Sequence, residues 1–262
     1  MTDGWLVFTD LDGTLLDHES YDFSPALPAL RALKQRGIPL VLVSSKTLDE
    51  LRQLARTLNI QGPVVAENGA VIAYPGETPQ IAPPGYHLLR DFLIDQRSNP
   101  DFDTLGFGDM SLEEVMQATG LPRDDARLAM RRLASEPFLW RGEGESLAAF
   151  RKEAGKYRLR LHQGGRFMHL QSDTDKGIAV NHVINRLRRT GKHITRTIAL
   201  GDSDNDREML LAVDHPVIIR KPNGSHLTLP ERPDAILSEL PGPAGWNQTI
   251  LQLLQKYTDN TP

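Results

Sequence analysis

Short apolar runs alternate with amphipathic stretches at the start of the chain and again toward its end. Trp5–Thr9 and residues 38–43 and 63–66 are apolar at nearly every position, which predicts strands buried on both faces. Between them Leu27, Leu30 and Leu33 recur at helical spacing, with Ser24-Pro25 as the expected helix start and Gly37 as the stop. Thr47 and Glu50 form a capping box ahead of a second helix striped by Leu48, Leu51, Ala55 and Leu58. The rhythm returns after residue 174. Asp175 caps a helix carrying Ile178, Val183, Ile184 and Leu187. Residues 195–200 then read as a strand, 204–213 as a short helix, 216–219 as a strand and 246–257 as a closing helix. Such alternation predicts parallel βαβ units.

The middle follows another pattern. Residues 75–85 hold Pro75, Gly76, Pro79, Pro83, Pro84 and Gly85, the composition of a linker. Ser111 with Glu114 caps one expected helix, and residues 124–134 form another. Residues 157–162 and 166–171 predict a hairpin around Gly164-Gly165. A two-residue turn there sets Arg160 opposite His169 and Arg158 opposite Gln171 on a polar face. Leu159 with Leu170, and Leu161 with Met168, then share an apolar face, which suits helices on one side only. The expected class is α/β: a parallel-sheet core from residues 1–82 and 173–262, with an inserted α+β unit at 83–172.

Composition narrows the classes. Of 262 residues, 39% are hydrophobic and 24% charged, enough apolar side chain for a sizeable core. Thirty basic against thirty-four acidic residues argue against a nucleic-acid partner held by a broad basic field. The absence of cysteine excludes disulfides, thiolate metal sites and a cysteine nucleophile. The longest strongly apolar run, 38–43, falls far short of the ~20 residues that span a bilayer, so no membrane partner is expected. Met1 to Trp5 lacks the basic-then-apolar order of a signal peptide, and the expected location is cytoplasmic.

Two acidic clusters follow strands directly. Asp10 and Asp12 stand two apart after the first, with Gly13 permitting close approach of a ligand. Asp202, Asp204, Asn205 and Asp206 crowd the end of a later strand, an oxygen-only donor set of the kind Mg²⁺ takes. Lys176 opens a helix, where a cation opposes the macrodipole unless something anionic lies beside it. Ser44 ends a strand and offers a hydroxyl to an anion.

Together, Asp10-x-Asp12-Gly-Thr, Ser44, Lys176 and Gly201-Asp-x-x-Asn-Asp206 resemble the four motifs of the haloacid dehalogenase superfamily of phosphohydrolases. That resemblance implies a Rossmann-like core with a type C2 cap and Mg²⁺ as cofactor. It implies Asp10 as nucleophile, Asp12 as acid and base, and Ser44 and Lys176 on the phosphoryl group. Asp10, Asp12 and Asp202 would hold the metal, with Asp206 and Asn205 orienting Lys176 and the metal's waters. Ser44-Ser-Lys-Thr47, Glu67-Asn-Gly-Ala70, Ser135-Glu-Pro-Phe138 and Gly164-Gly-Arg-Phe167 are similar to the mannosyl-3-phosphoglycerate phosphatase branch. The implied partner is a small phosphorylated sugar–glycerate ester. Ser45, Lys46, Asn68 and Gly69 are its expected contacts from the core, and Arg131, Arg132, Arg160, Arg166 and His169 from the insertion. A broad sugar phosphatase, a glucosyl-3-phosphoglycerate phosphatase, a phosphomutase and a silent phospho-metabolite sensor stay open as alternatives, and the sequence leaves the oligomeric state open.

Overall fold

The computed structural model describes residues 4–164 and 166–258. The chain begins with β1 (Trp5–Thr9), α1 (Leu27–Gln35), β2 (Leu40–Val43), α2 (Leu48–Leu58), β3 (Val64–Ala66), β4 (Val71–Ala73) and β5 (Gln80–Ile81). A second group follows: α3 (Tyr86–Gln96), β6 (Thr104–Gly106), α4 (Leu112–Thr119), α5 (Arg123–Ala129), β7 (Ser135–Trp140), α6 (Gly144–Lys156), β8 (Leu159–Gly164) and β9 (Phe167–Ser172). The chain closes with α7 (Lys176–Arg189), β10 (Arg196–Gly201), α8 (Arg207–Leu211), β11 (His215–Arg220), β12 (Ile236–Pro241) and α9 (Gly242–Thr258).

The larger sheet runs β12-β11-β10-β1-β2-β3-β4-β5, parallel from β12 to β3 and antiparallel through β4 and β5. Its strands are apolar on both faces because each face is covered. Val7, Leu42 and Leu200 pack under α1, α2 and α9, whereas Phe8, Val43 and Ala199 pack under α7 and α8. From β1 the chain moves to one side, through β2 and β3, and later returns on the other with β10. The carboxyl ends of β1 and β10 therefore mark the reversal point, where open α/β sheets place ligands.

The smaller sheet, β6-β7-β9-β8, is antiparallel throughout. Leu89 and Leu93 of α3 and Phe150 of α6 cover one face, against Phe138, Leu161 and Leu170. The opposite face is not bare, as the one-sided pattern predicted. Val115, Ala126 and Ala129 of α4 and α5 pack there against Leu105, Leu139 and Phe167, so a polar surface survives only toward the Arg160 end.

The hairpin register also differs from expectation. Gly164 pairs with Phe167, His162 with His169 and Arg160 with Gln171, a shift of two that keeps the same residues on each face. Gly165, half of the expected turn, lies outside the described residues. Ser24 does not cap α1: its hydroxyl donates to Asp22, and a 3-10 turn at Ser24–Ala26 precedes the helix. The helix expected over 124–134 ends at Ala129, and the linker at 75–85 contributes β5 to the sheet edge. No helix among the described residues is long and apolar enough to cross a membrane.

Candidate active site

Thr47 and Glu50 form the capping box that starts α2, and Asp175 accepts from the Ile178 amide to start α7. These caps fix the loops around the reversal point. Lys176, the first residue of α7, is fully buried, and its Nζ lies 2.6 Å from Asp10 Oδ1 and 2.6 Å from Asp206 Oδ1. The anionic neighbours that a helix-start lysine requires are therefore these carboxylates. Asp206 Oδ2 accepts from the amides of Asp202 and Ser203, so Asp206 is bound on both oxygens. Thr14 Oγ1 donates to Asp202 Oδ1 at 3.3 Å. Gly13, at φ +80°, leaves room that a Cβ would take up, since it would stand 3.0 Å from Asp202 Oδ2.

Oxygens of Asp10, Asp202 and Asp206 all lie within 4.8 Å of one another. Burial, with the charges of Asp206 and Asp202, pushes the Asp10 carboxyl well above the usual range, against the pull of Lys176. Burial and Asp206 likewise raise Asp202 to about 6. Burial opposes the Lys176 ammonium, but Asp10 and Asp206 outweigh it and hold it above the ordinary lysine range. Three carboxylates thus face one buried ammonium, a surplus of two negative charges made of oxygen donors alone. A hard divalent cation fits that deficit.

Asp12 turns to a different lysine. Its Oδ2 is 3.0 Å from Lys46 Nζ, while its Oδ1 is shielded from solvent and has no protein partner. Ser44, 1% exposed, accepts at Oγ from the Lys46 amide, which ties it to the lysine that faces Asp12. Asn68 Oδ1 meets Asn205 Nδ2 at 3.5 Å. Gly69, at φ +99°, lets this loop pass α7: a Cβ there would stand 2.2 Å from the Asp175 carbonyl oxygen.

The smaller sheet meets this region through the segment before β7. Glu67, fully buried at φ +52°, accepts from the Leu133 amide at 2.9 Å, the Ala134 amide at 3.0 Å and Ser135 Oγ at 2.7 Å. Arg132 Nη1 donates to the Ser45 carbonyl at 2.9 Å, and Thr47 Oγ1 to the Leu128 carbonyl at 2.9 Å. Arg160 pairs with Asp173 and Asp175 beside Lys176. Arg131 instead pairs with Asp49, and Arg166 donates to the Thr119 carbonyl; neither is brought to the carboxylate cluster. Glu67 entered the sequence reading only as part of a family-like string, not as a buried acceptor, and His162 and Lys221, whose charge acts on Asp202, carried no sequence signal.

On the polar face, His162 Nε2, His169 Nδ1 and Gln171 Oε1 are shielded from solvent without a protein partner. Burial, with Arg132 and His162, pushes His169 down to about 3, and burial with Arg160 lowers His162. The folded state therefore favours neutral rings, while an unfolded histidine takes a proton below ~6.5. For His169 stability is full above that value and falls as the pH drops toward about 3, by at most about 1.4 kcal/mol per pH unit, and His162 adds a loss of the same sign. Urea unfolding at about pH 7 and about pH 5 should show His169→Gln losing less stability on acidification than the parent. Identical losses would mean that His169 protonates freely in the folded protein.

Residues 7–81 and 147–225 match the family of haloacid dehalogenase-like hydrolases. The glucosyl-3-phosphoglycerate/mannosyl-3-phosphoglycerate phosphatase of Persephonella marina is 37% identical over 266 residues, spanning 96% of this chain and 97% of that one. A phosphatase of the same description from Methanococcoides burtonii is 36% identical over 271 residues, with the same coverage. Among solved structures, a Thermoplasma acidophilum protein superposes with a TM-score of 0.71 at 20% identity, covering 96% of this chain and 99% of its own. A haloacid dehalogenase-like hydrolase from Bacteroides thetaiotaomicron gives 0.69 at 18%, covering 96% and 100%.

Proposed function

The chain belongs to the haloacid dehalogenase-like hydrolases, and from that premise we propose that it hydrolyses the phosphomonoester of a glycosyl-3-phosphoglycerate, mannosyl or glucosyl. The observation that carries the reaction is the buried Lys176 ammonium held between Asp10 and Asp206. It fixes the Asp10 carboxylate and offsets its charge as a phosphate dianion approaches. Asp10 attacks phosphorus; the new P–O bond forms as the ester P–O bond breaks, giving an aspartyl-phosphate. Asp12, with Oδ1 free, gives its proton to the departing glycerate oxygen and then takes one from the water that releases phosphate and regenerates Asp10. The Ser44 hydroxyl and the Ser45 amide hold phosphoryl oxygens, while Asn205 and Asp206 orient their neighbours. A divalent cation, Mg²⁺ on this all-oxygen set, would be held by Asp10, Asp202 and the Asp12 carbonyl and supplies positive charge to the phosphoryl group.

Residues 83–172 act in this reading as the specificity unit, with the polar face of β8 and β9 turned to the leaving group. Unpartnered atoms on His162, His169 and Gln171 suit sugar hydroxyls, which both donate and accept. Asn68, Gly69 and Lys46 line the core side. Arg132, lying on the Ser45 carbonyl, is the guanidinium placed for the glycerate carboxylate. Arg132→Ala should lower kcat/KM for the glycerate substrate about 30-fold or more. An equal fall on a phosphomonoester without a carboxylate would assign Arg132 to the fold instead.

The test is phosphate release with Mg²⁺ across mannosyl- and glucosyl-3-phosphoglycerate and hexose 6-phosphates. The expected result is a clear preference for the glycerate esters. Equal turnover across the panel would replace this reading with a broad sugar phosphatase.

A further inference from the structure

Tyr21 lies in the loop between β1 and α1, outside every motif considered above. Its backbone sits at φ +57°, a conformation that crowds any side chain with a Cβ, and the residue is 47% exposed. The loop is built to hold it there. Asp17 Oδ1 accepts from the amides of Glu19 and Ser20 and from Ser20 Oγ, and the Tyr21 amide donates to the Asp17 carbonyl at 3.1 Å. The Asp17 amide donates to the Asp22 carbonyl at 2.9 Å, closing the turn on itself. Asp22 in turn accepts from the Ser24 amide and hydroxyl. A closed turn thus displays a half-exposed aromatic residue.

Lys46 gives the ring its place in the site. Lys46 Nζ stands 4.9 Å from the Tyr21 ring centroid and 3.0 Å from Asp12 Oδ2. The path from the acid–base carboxylate outward therefore runs across Lys46 to the exposed ring. A substrate whose phosphoryl group faces Asp10 and whose ester oxygen faces Asp12 must send the rest of its body out of the cleft. A pyranose ring has an apolar C–H face flanked by hydroxyls, which matches a phenol presenting an apolar face and one polar tip.

We propose that Tyr21 is a specificity-determining residue, the platform on which the glycosyl ring of the substrate packs. The proposal rests on the glycosyl-phosphoglycerate reading given above. Tyr21→Ala lowers kcat/KM for the glycosylated ester about five- to tenfold more than for glycerol 3-phosphate, which reaches Asp12 but carries no sugar. The excess loss falls mainly in KM, and Tyr21→Phe restores most of it. Tyr21→Gly, free of the positive-φ strain, keeps or raises Tm while showing the same selective loss, which separates binding from folding.

Equal losses of Tyr21→Ala on both esters would show that the ring only braces Lys46 against Asp12, and no loss would show that it does neither. Either result overturns the proposal and leaves the substrate reading standing. A parent enzyme that hydrolyses glycerol 3-phosphate but neither glycosylated ester overturns the substrate reading, and the role of Tyr21 with it.

Discussion

Asp10→Asn is expected to cut phosphate release by at least about 10⁴-fold, in line with the loss of a covalent nucleophile in other hydrolases, while leaving the fold intact. The amide has no charge to attack phosphorus and is a poor donor to a hard cation. Its Oδ1 can still accept from Lys176, so the buried ammonium keeps both partners. The stability of this variant should move the other way. Because burial and neighbouring carboxylates raise the Asp10 pKa in the folded protein, its ionised form costs folding free energy at neutral pH. Asparagine imitates the protonated form. The variant's Tm should therefore equal or exceed the parent's near pH 7, and any advantage should shrink as the pH falls toward the ordinary aspartate value of ~3.9 and be gone below it. Thermal melts beside steady-state assays check both halves. Full activity would remove Asp10 from the role of nucleophile, and a collapse in Tm would overturn the argument that its ionised form costs stability.

Glu67→Ala should give a large loss of stability. Three donors, the Leu133 and Ala134 amides and Ser135 Oγ, converge on one fully buried carboxylate. Each buried donor left unsatisfied costs about 1–3 kcal/mol, so a total near 3 kcal/mol or more is expected. At about 2–4 °C per kcal/mol for a chain of this size, Tm should drop by about 6–12 °C. Glutamine is not a mild replacement, because its NH₂ would face one of these donors. The same segment carries Arg132, so selectivity for the glycerate ester should fall together with stability. A melt within about 2 °C of the parent would mean that water satisfies the three donors.

The parts of this molecule legible in the sequence are those whose chemistry leaves few choices of residue. Asp10, Lys176, Asp202 and Asp206 stand at strand ends and a helix start, and the fold does bring them together. Glu67 gave no such signal, since a glutamate after a strand is ordinarily solvated. Its burial depends on amides at 133 and 134, far along the chain. β7 escaped detection because Pro137 lies inside it, and an interior proline normally argues against a central strand. α3 was hidden by Leu88 and Ile94, exposed apolar residues that blur its stripe. Arg160 was paired with His169 rather than Gln171 because adjacent glycines allowed two turn positions, and the chain closes so that Gly164 meets Phe167.

The position of β1 in the large sheet has a consequence for synthesis. Trp5 pairs with Arg196, so the strand that leads into Asp10 lacks its second neighbour until most of the chain has left the ribosome. By then β6 to β9 have all emerged, and the smaller sheet, whose pairings are confined to Thr104–Ser172, is free to form within the nascent chain. Asp10 emerges early but meets Lys176 and Asp206 only when the last third of the polypeptide arrives. A chain truncated before β10 would display an open parallel edge and leave Lys176 with Asp10 but without Asp206, its second anionic partner.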